Sequence, residues 1–195
     1  MAITPDSHDF DLRVEDPATG AQLATSTASF DPLKPAVDFV AVDSNRRPFG
    51  GYVAAVDRFN NPTAEESDYR VSFVEGNHVL SNGTETVHLG AGQPVAVFDL
   101  FVNLGDTVTI TVAPQTPGTV PAVFLMQSRP DNPNLWVQGR VDAARAAVTT
   151  KLQQTVATSS FTAGTQGYYG VVLANESPLV AGDYRITVTR TAKTP

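Results

Sequence analysis

The sequence predicts an all-β protein, an antiparallel β-sandwich of jelly-roll type. Apolar residues recur at every second position through several stretches, the pattern of strands with one buried face. The 195 residues include 14 Gly and 14 Pro without a three-residue period, which suits many turns rather than a fibrous chain. An internal repeat is the third sign. Gly51-Tyr52-Val53-Ala54-Ala55-Val56 through Asp68-Tyr69-Arg70-Val71-Ser72-Phe73 returns, altered, as Tyr168-Tyr169-Gly170-Val171-Val172-Leu173 through Asp183-Tyr184-Arg185-Ile186-Thr187-Val188. Each copy reads as a Gly-Tyr strand, a polar loop and a strand opening with Asp-Tyr-Arg, and a repeat of this kind constrains the whole architecture.

Taken in order, Phe10, Leu12 and Val14 alternate with Asp9, Asp11, Arg13 and Glu15, and Asp16-Pro17-Ala18-Thr19-Gly20 supplies the turn that ends this strand. Val37, Phe39 and Ala41 alternate next. The connection Asn45-Arg46-Arg47-Pro48-Phe49-Gly50-Gly51 then leads, as a hairpin or a sheet crossing, into Tyr52 to Val56. Between Thr84 and Val112, Ala96, Phe98, Leu100, Val102 and Leu104 share one face. Beyond a Leu104-Gly105-Asp106 turn, Val108, Ile110 and Val112 share another, with Thr107, Thr109 and Thr111 outward. Ala122 to Met126 is short and apolar enough for a fully buried strand. From Val141 to Gln154, Val141, Ala144, Val148 and Leu152 fit a helical stripe, whereas Val148-Thr149-Thr150 and Thr155-Val156 fit strands. Both readings stay open there. Ten residues are expected in one core: Phe98, Leu100, Val102, Val108, Ile110, Phe124, Val171, Leu173, Ile186 and Val188.

Composition narrows the partners. A formal net charge of -7 and no basic run beyond Arg46-Arg47 disfavour nucleic acid. No stretch reaches the length of a membrane-spanning helix, so membrane insertion is not expected. The absence of cysteine excludes disulfides and thiolate chemistry without fixing the compartment. The start, Met1-Ala2-Ile3-Thr4-Pro5-Asp6, has neither the basic nor the apolar region of a signal peptide.

The run Asp9 to Gly20, the Gly50-Gly51-Tyr52-Val53-Ala54-Ala55-Val56 strand and Tyr69-Arg70-Val71-Ser72-Phe73 together resemble the closing half of a bacterial pre-peptidase C-terminal (PPC) domain. That family shows an Asp-x-Asp-Leu-like strand with a Pro/Gly turn, a Gly-Thr-Tyr-like strand and a final Tyr-x-Leu/Ile-x-Val strand. Val95 to Val112, with Gly105-Asp106-Thr107-Val108-Thr109-Ile110 in the place of the Gly-x-x-Val-x-Ile element, looks like the family's opening strands. Ala122 to Met126, Tyr168 to Leu173 and Tyr184 to Val188 complete that copy. The resemblance implies two PPC-like repeats, an incomplete one over 1–76 and a fuller one over 77–195, either separate or packed as one unit. The first copy lacks the opening strands, and the second has Val123-Phe124-Leu125-Met126 where the acidic strand belongs.

Chemistry is sparse. The acidic group Asp6, Asp9, Asp11, Glu15 and Asp16, with Asp38 and Asp43, can supply oxygen ligands for Ca²⁺, and Asp9, Asp11 and Asp16 are the candidate ligands. Calcium is the one cofactor considered, although no Asp-x-Asp-x-Asp-Gly loop is present and acids on a strand more commonly just keep an exposed face solvated. His8, His78 and His88 show no paired spacing for zinc. No Gly-x-Ser-x-Gly elbow or strand-to-helix phosphate loop is present, and nothing singles out a glycosidase pair of carboxylates. The chain therefore reads as non-catalytic. Trp136, Tyr168 and Phe49 are candidate ligand-binding aromatics, since ring faces cover sugar C–H surface at little entropic cost. For Trp136 the packing reading, a plug in a sandwich core, carries more weight.

By resemblance, the leading expectation is an extracellular or cell-surface accessory module that contacts a protein or polysaccharide surface in secretion, anchoring or substrate contact. The alternatives are a self-assembling subunit of a filament, surface layer or virion, and a carbohydrate-binding module.

Overall fold

The computed structural model describes residues 2–5, 10–26, 38–40, 52–58, 68–74, 76, 78–128, 136–138, 149–151, 154–164, 166–177 and 179–193. Among them there is no helix. The strands of the first half are β1 (Ala2–Pro5), β2 (Phe10–Glu15), β3 (Gln22–Ser26), β4 (Asp38–Phe39), β5 (Val53–Arg58) and β6 (Tyr69–Ser72). They form two three-stranded sheets, ordered β4-β1-β6 and β3-β2-β5. The second half holds β7 (Gly83–Leu89), β8 (Val95–Val102), β9 (Thr107–Pro114), β10 (Pro121–Ser128), β11 (Trp136–Gln138), β12 (Thr149–Lys151), β13 (Gln154–Thr162), β14 (Gly167–Asn175) and β15 (Gly182–Thr191). These build a four-stranded sheet, β11-β10-β14-β8, and a five-stranded one, β12-β13-β9-β15-β7. The strand pairings within the sheets are antiparallel, so the fold is an all-β sandwich.

The alternation read from sequence places the main core between the four- and five-stranded sheets. Phe98, Leu100 and Val102 of β8, Val108, Ile110 and Val112 of β9, Val171 and Leu173 of β14, and Tyr184, Ile186 and Val188 of β15 are buried together there. On the opposite face of β9, Thr107 and Thr109 point out and bond across the ladder to Thr162 at 3.1 Å and Ser160 at 3.0 Å. Two expectations for single side chains fail. Leu104 lies in the β8–β9 turn, past the last strand position, and is exposed. Phe124 is not in this core: its neighbours Val123 and Leu125 take the inward phase of β10, which turns Phe124 to the other face of the sheet.

That other face is also buried. Val95, Ala122, Val172 and Ala174, with Val97 and Phe124, pack against Ala2 of β1 and Phe39 of β4. The Phe39 and Phe124 rings meet edge-on at 4.8 Å. The first-half sheets thus continue the stack, and a third cluster of Phe10, Leu12, Val14 and Val40 fills the space beyond. Gly76 follows β6 so close to β8 that an added Cβ would come within 2.8 Å of a Val97 methyl, and Ser72 Oγ donates to the Gly92 carbonyl at 2.9 Å.

The two halves share a strand order. Sheet β4-β1-β6 corresponds to β13-β9-β15, and β3-β2-β5 corresponds to β11-β10-β14. Register agrees as well: Tyr69 stands opposite Pro5, and Tyr184 stands opposite Pro114. Among the described residues β7, β8 and β12 have no counterpart in the first half. The helical reading of Val141 to Gln154 fails where it can be followed, because Thr149–Lys151 is β12 and Gln154 opens β13. There the β-branched residues pair with β13, and sheet pairing overrides the helical spacing. Residues 141–148 lie outside the described ones.

Leu100→Ala should lower unfolding free energy by about 2–5 kcal/mol, whereas Leu104→Ala should change it by less than about 0.5 kcal/mol; denaturant titration separates the two. The buried Tyr184 hydroxyl gives a pH test. Burial pushes it up from 10.0 to about 12, an effect the Thr119 side chain partly offsets. Its contribution is intact below pH 10.0, and it is lost as pH rises toward about 12, because the unfolded chain releases the proton first. Tyr184→Phe should make melting temperature fall less steeply than in the wild type across that window.

Candidate binding surface

The outer face of the four-stranded sheet is only partly covered by the first half. Alternation along β8 sends Phe101 to the same side as Val95 and Val97, and Tyr168 of β14 is its direct register partner. The two rings meet edge-on at 5.2 Å, with Tyr168 58% exposed and Phe101 half-buried beneath it. Arg190 of β15 donates from its guanidinium to the Phe101 carbonyl, which fixes the end of β8 against the facing sheet.

The same row continues across the sheet. β10 pairs with β14 through Met126↔Gly170 and with β11 through Ser128↔Trp136. Carrying the β10–β14 register on by two residues sets Ser128 beside Tyr168. Trp136 therefore occupies a backbone position two strands from Tyr168, roughly 10 Å at ordinary strand spacing. By this continuation of the ladder, Phe101, Tyr168, Ser128 and Trp136 fall on one row across the sheet. Of the three aromatics singled out from sequence, the fold brings Trp136 and Tyr168 into this row, while Phe49 lies outside the described residues. Phe101 was missed. Its signal was present, since it alternates with Leu100 and Val102, but its pairing with Tyr168 needs the register.

The acidic residues are placed differently. Asp16 is a turn residue: its Oδ1 accepts from the Ala18 amide at 2.7 Å and the Thr19 amide at 3.3 Å, while its carbonyl accepts from Gly20, whose φ of 69° suits glycine. Asp11 stands on β2 opposite Asp57 of β5. Between the flanking carboxylates, Arg13 reaches Glu15 at 2.6 Å and Asp57 at 2.6 Å. Asp6, Asp9 and Asp43 lie outside the described residues, and Asp38 is opposite Ile3 on β4. Among the described residues no three His, Asp or Glu side chains converge as a metal site. A calcium ion at Asp11 and Asp16 would have to draw its other ligands, Asp9 included, from outside that set. The described histidines make exposed hydrogen bonds to carboxylates, His78 with Glu85 at 2.8 Å and His88 with Asp183 at 2.7 Å.

Neither a family model nor a curated protein matches the sequence. Solved structures do show similarity. The chain is similar to the pre-peptidase C-terminal domain of a collagenase from Bacillus anthracis, at 16% identity over 62% of this chain and 98% of that one, with a TM-score of 0.42. It is similar to CorA, described as a surface-associated copper-binding protein of Methylomicrobium album BG8, at 11% identity over 60% of this chain and 98% of that one, with a TM-score of 0.43. A Cowpea mosaic virus particle chain aligns over 100% of this chain and 86% of its own at 11% identity and a TM-score of 0.26. The strands and their pairing define the all-β sandwich independently of these likenesses.

Replacing Asp16 with Ala removes the acceptor that closes the β2–β3 turn. The change should cost about 1 kcal/mol, read as a lower denaturant midpoint with an unchanged slope.

Proposed function

We propose that this chain is a non-catalytic, extracellular or cell-surface accessory module made of two PPC-like repeats, the first incomplete, and that it contacts a polysaccharide surface. The observation that carries the reading is the aromatic row on the four-stranded sheet. Tyr168 is exposed and braced by Phe101, and Trp136 is set two strands away in the same row. Braced aromatics on a sheet lose little conformational freedom on binding and cover the C–H face of a sugar ring. A row two strands wide suits an extended, repeating ligand better than a compact one. Secretion or anchoring by way of such a surface needs no catalytic group.

The test is retention on insoluble polysaccharides such as cellulose, chitin and peptidoglycan, together with emission from Trp136, the chain's single tryptophan. Tyr168→Ala should weaken binding about tenfold, a loss of about 1.4 kcal/mol. Binding of soluble fragments should shift the tryptophan emission. Retention unchanged by Tyr168→Ala and Trp136→Ala together would remove the row as the contact surface, and failure to bind any of the three materials would remove the polysaccharide reading.

A further inference from the structure

The sheet face that carries the aromatic row also carries a carboxylate. Along β8 the core takes Phe98, Leu100 and Val102, so alternation sends Asp99 to the face of Phe101, two residues further on. Among the described register positions of β8, β14, β10 and β11 on that face, Asp99 is the one charged residue. Its register partner is Gly170, which brings no side chain of its own, and Tyr168 is the diagonal neighbour, about 7 Å away by backbone position. Asp99 is half-buried. On its far side the next positions of the same face, Val97 and Val172, belong to the apolar contact with the first half. The backbone is held from both edges: β14 flanks one, while on the other the Asp99 amide donates to the His78 carbonyl at 2.9 Å and the Asp99 carbonyl accepts from the Leu80 amide at 2.8 Å. A carboxylate fixed at the margin of an apolar contact is poorly placed for keeping a face wet. It is well placed for a cationic ligand group, because partial desolvation strengthens a charge-assisted hydrogen bond.

We propose that Asp99 is the specificity-determining residue of this surface and that its ligand is a polysaccharide of free amino sugars, the ammonium paired with Asp99 while a ring's C–H face lies on Tyr168. This rests on the reading of the aromatic row as a sugar-contact surface, and it narrows the ligand by charge. Neutral sugars offer the carboxylate hydroxyl donors alone, whereas an ammonium adds the opposite charge, which offsets the hydration that a half-buried acid has lost. Uronate or sulfated polymers bring like charge to the same place, against a chain whose formal net charge is already -7. The selection is made by one local carboxylate, so removing a distant acid leaves it intact.

Calorimetry with soluble glucosamine oligomers and with their N-acetylated counterparts, at a mildly acid pH where the amines are protonated, separates charge from stacking. The wild type should prefer the free amines at least about tenfold. Asp99→Asn keeps the side-chain shape and should remove that preference, with the N-acetylated oligomers bound within about twofold of the wild type. Asp183→Asn removes the same charge from the five-stranded sheet, where Asp183 is exposed, and should leave the preference in place. Added salt should shrink the wild-type preference, a readout that needs no variant. A wild type that binds both oligomers alike overturns the proposal. So does a preference indifferent to salt, kept in Asp99→Asn, or lost equally in Asp183→Asn. Tyr168→Ala should weaken both oligomers: if it does so while Asp99→Asn keeps the preference, the aromatic row stands and the role of Asp99 falls. If Tyr168→Ala weakens neither, or the wild type binds neither, the row falls and Asp99 with it.

Discussion

The structure depends on one sheet being buried on both faces. Strand β14 runs Tyr169 to Asn175 without an exposed residue, because one phase of its side chains meets the five-stranded sheet and the other meets β1 and β4. A sheet of this kind cannot be left half-covered without exposing Val95, Val172, Ala174 and Phe124 to water, at about 25 cal/mol for each Å² of apolar surface. The first half supplies that cover, and its composition shows the adjustment. At positions where β9 and β13 present Thr111 and Thr158 outward, the corresponding β1 and β4 carry Ala2 and Phe39. Threonine suits a face in contact with solvent, and alanine with phenylalanine suits a face pressed on another sheet.

The same contact determines where a binding surface can exist. The first half covers the Val95–Val97 end of β8 and the matching end of β14, and among the described residues the face stays open near Phe101 and Tyr168. An aromatic pair at the margin of a buried face is well braced, because its backbone belongs to a rigid, doubly packed sheet rather than to a loop. The exposed tyrosine is therefore held by the same packing that joins the halves.

Much of this was legible in the sequence wherever one face of a strand met water. Phe10, Leu12 and Val14 against Asp11, Arg13 and Glu15 gave β2 directly, and the threonines of β9 did the same. Alternation carries less information where both faces are buried. Phe124 was assigned to the wrong core because every neighbour in β10 is apolar, and only register distinguishes the two sides. The row that holds the Tyr168 and Trp136 positions was hidden for a related reason, since it follows from two successive ladders, β14–β10 and β10–β11, which alternation within a single strand does not reveal. The β12–β13 region misled differently, since helical spacing in isolated residues is outweighed by β-branched side chains once a partner strand is available.

Tyr69 and Tyr184 were legible in the sequence as matching positions, and the strand order agrees with that match, but the difference in their burial was not legible. Identical inward phases predict identical burial, and the folded chain departs from that. The cluster in the first half is small, Phe10, Leu12, Val14 and Val40, because the strand that would close it over β6 is missing among the described residues. Tyr69, Val71 and Phe73 nevertheless retain the apolar character of Tyr184, Ile186 and Val188. In a strand whose inner face only met solvent, those side chains would favour aggregation and contribute little to folding.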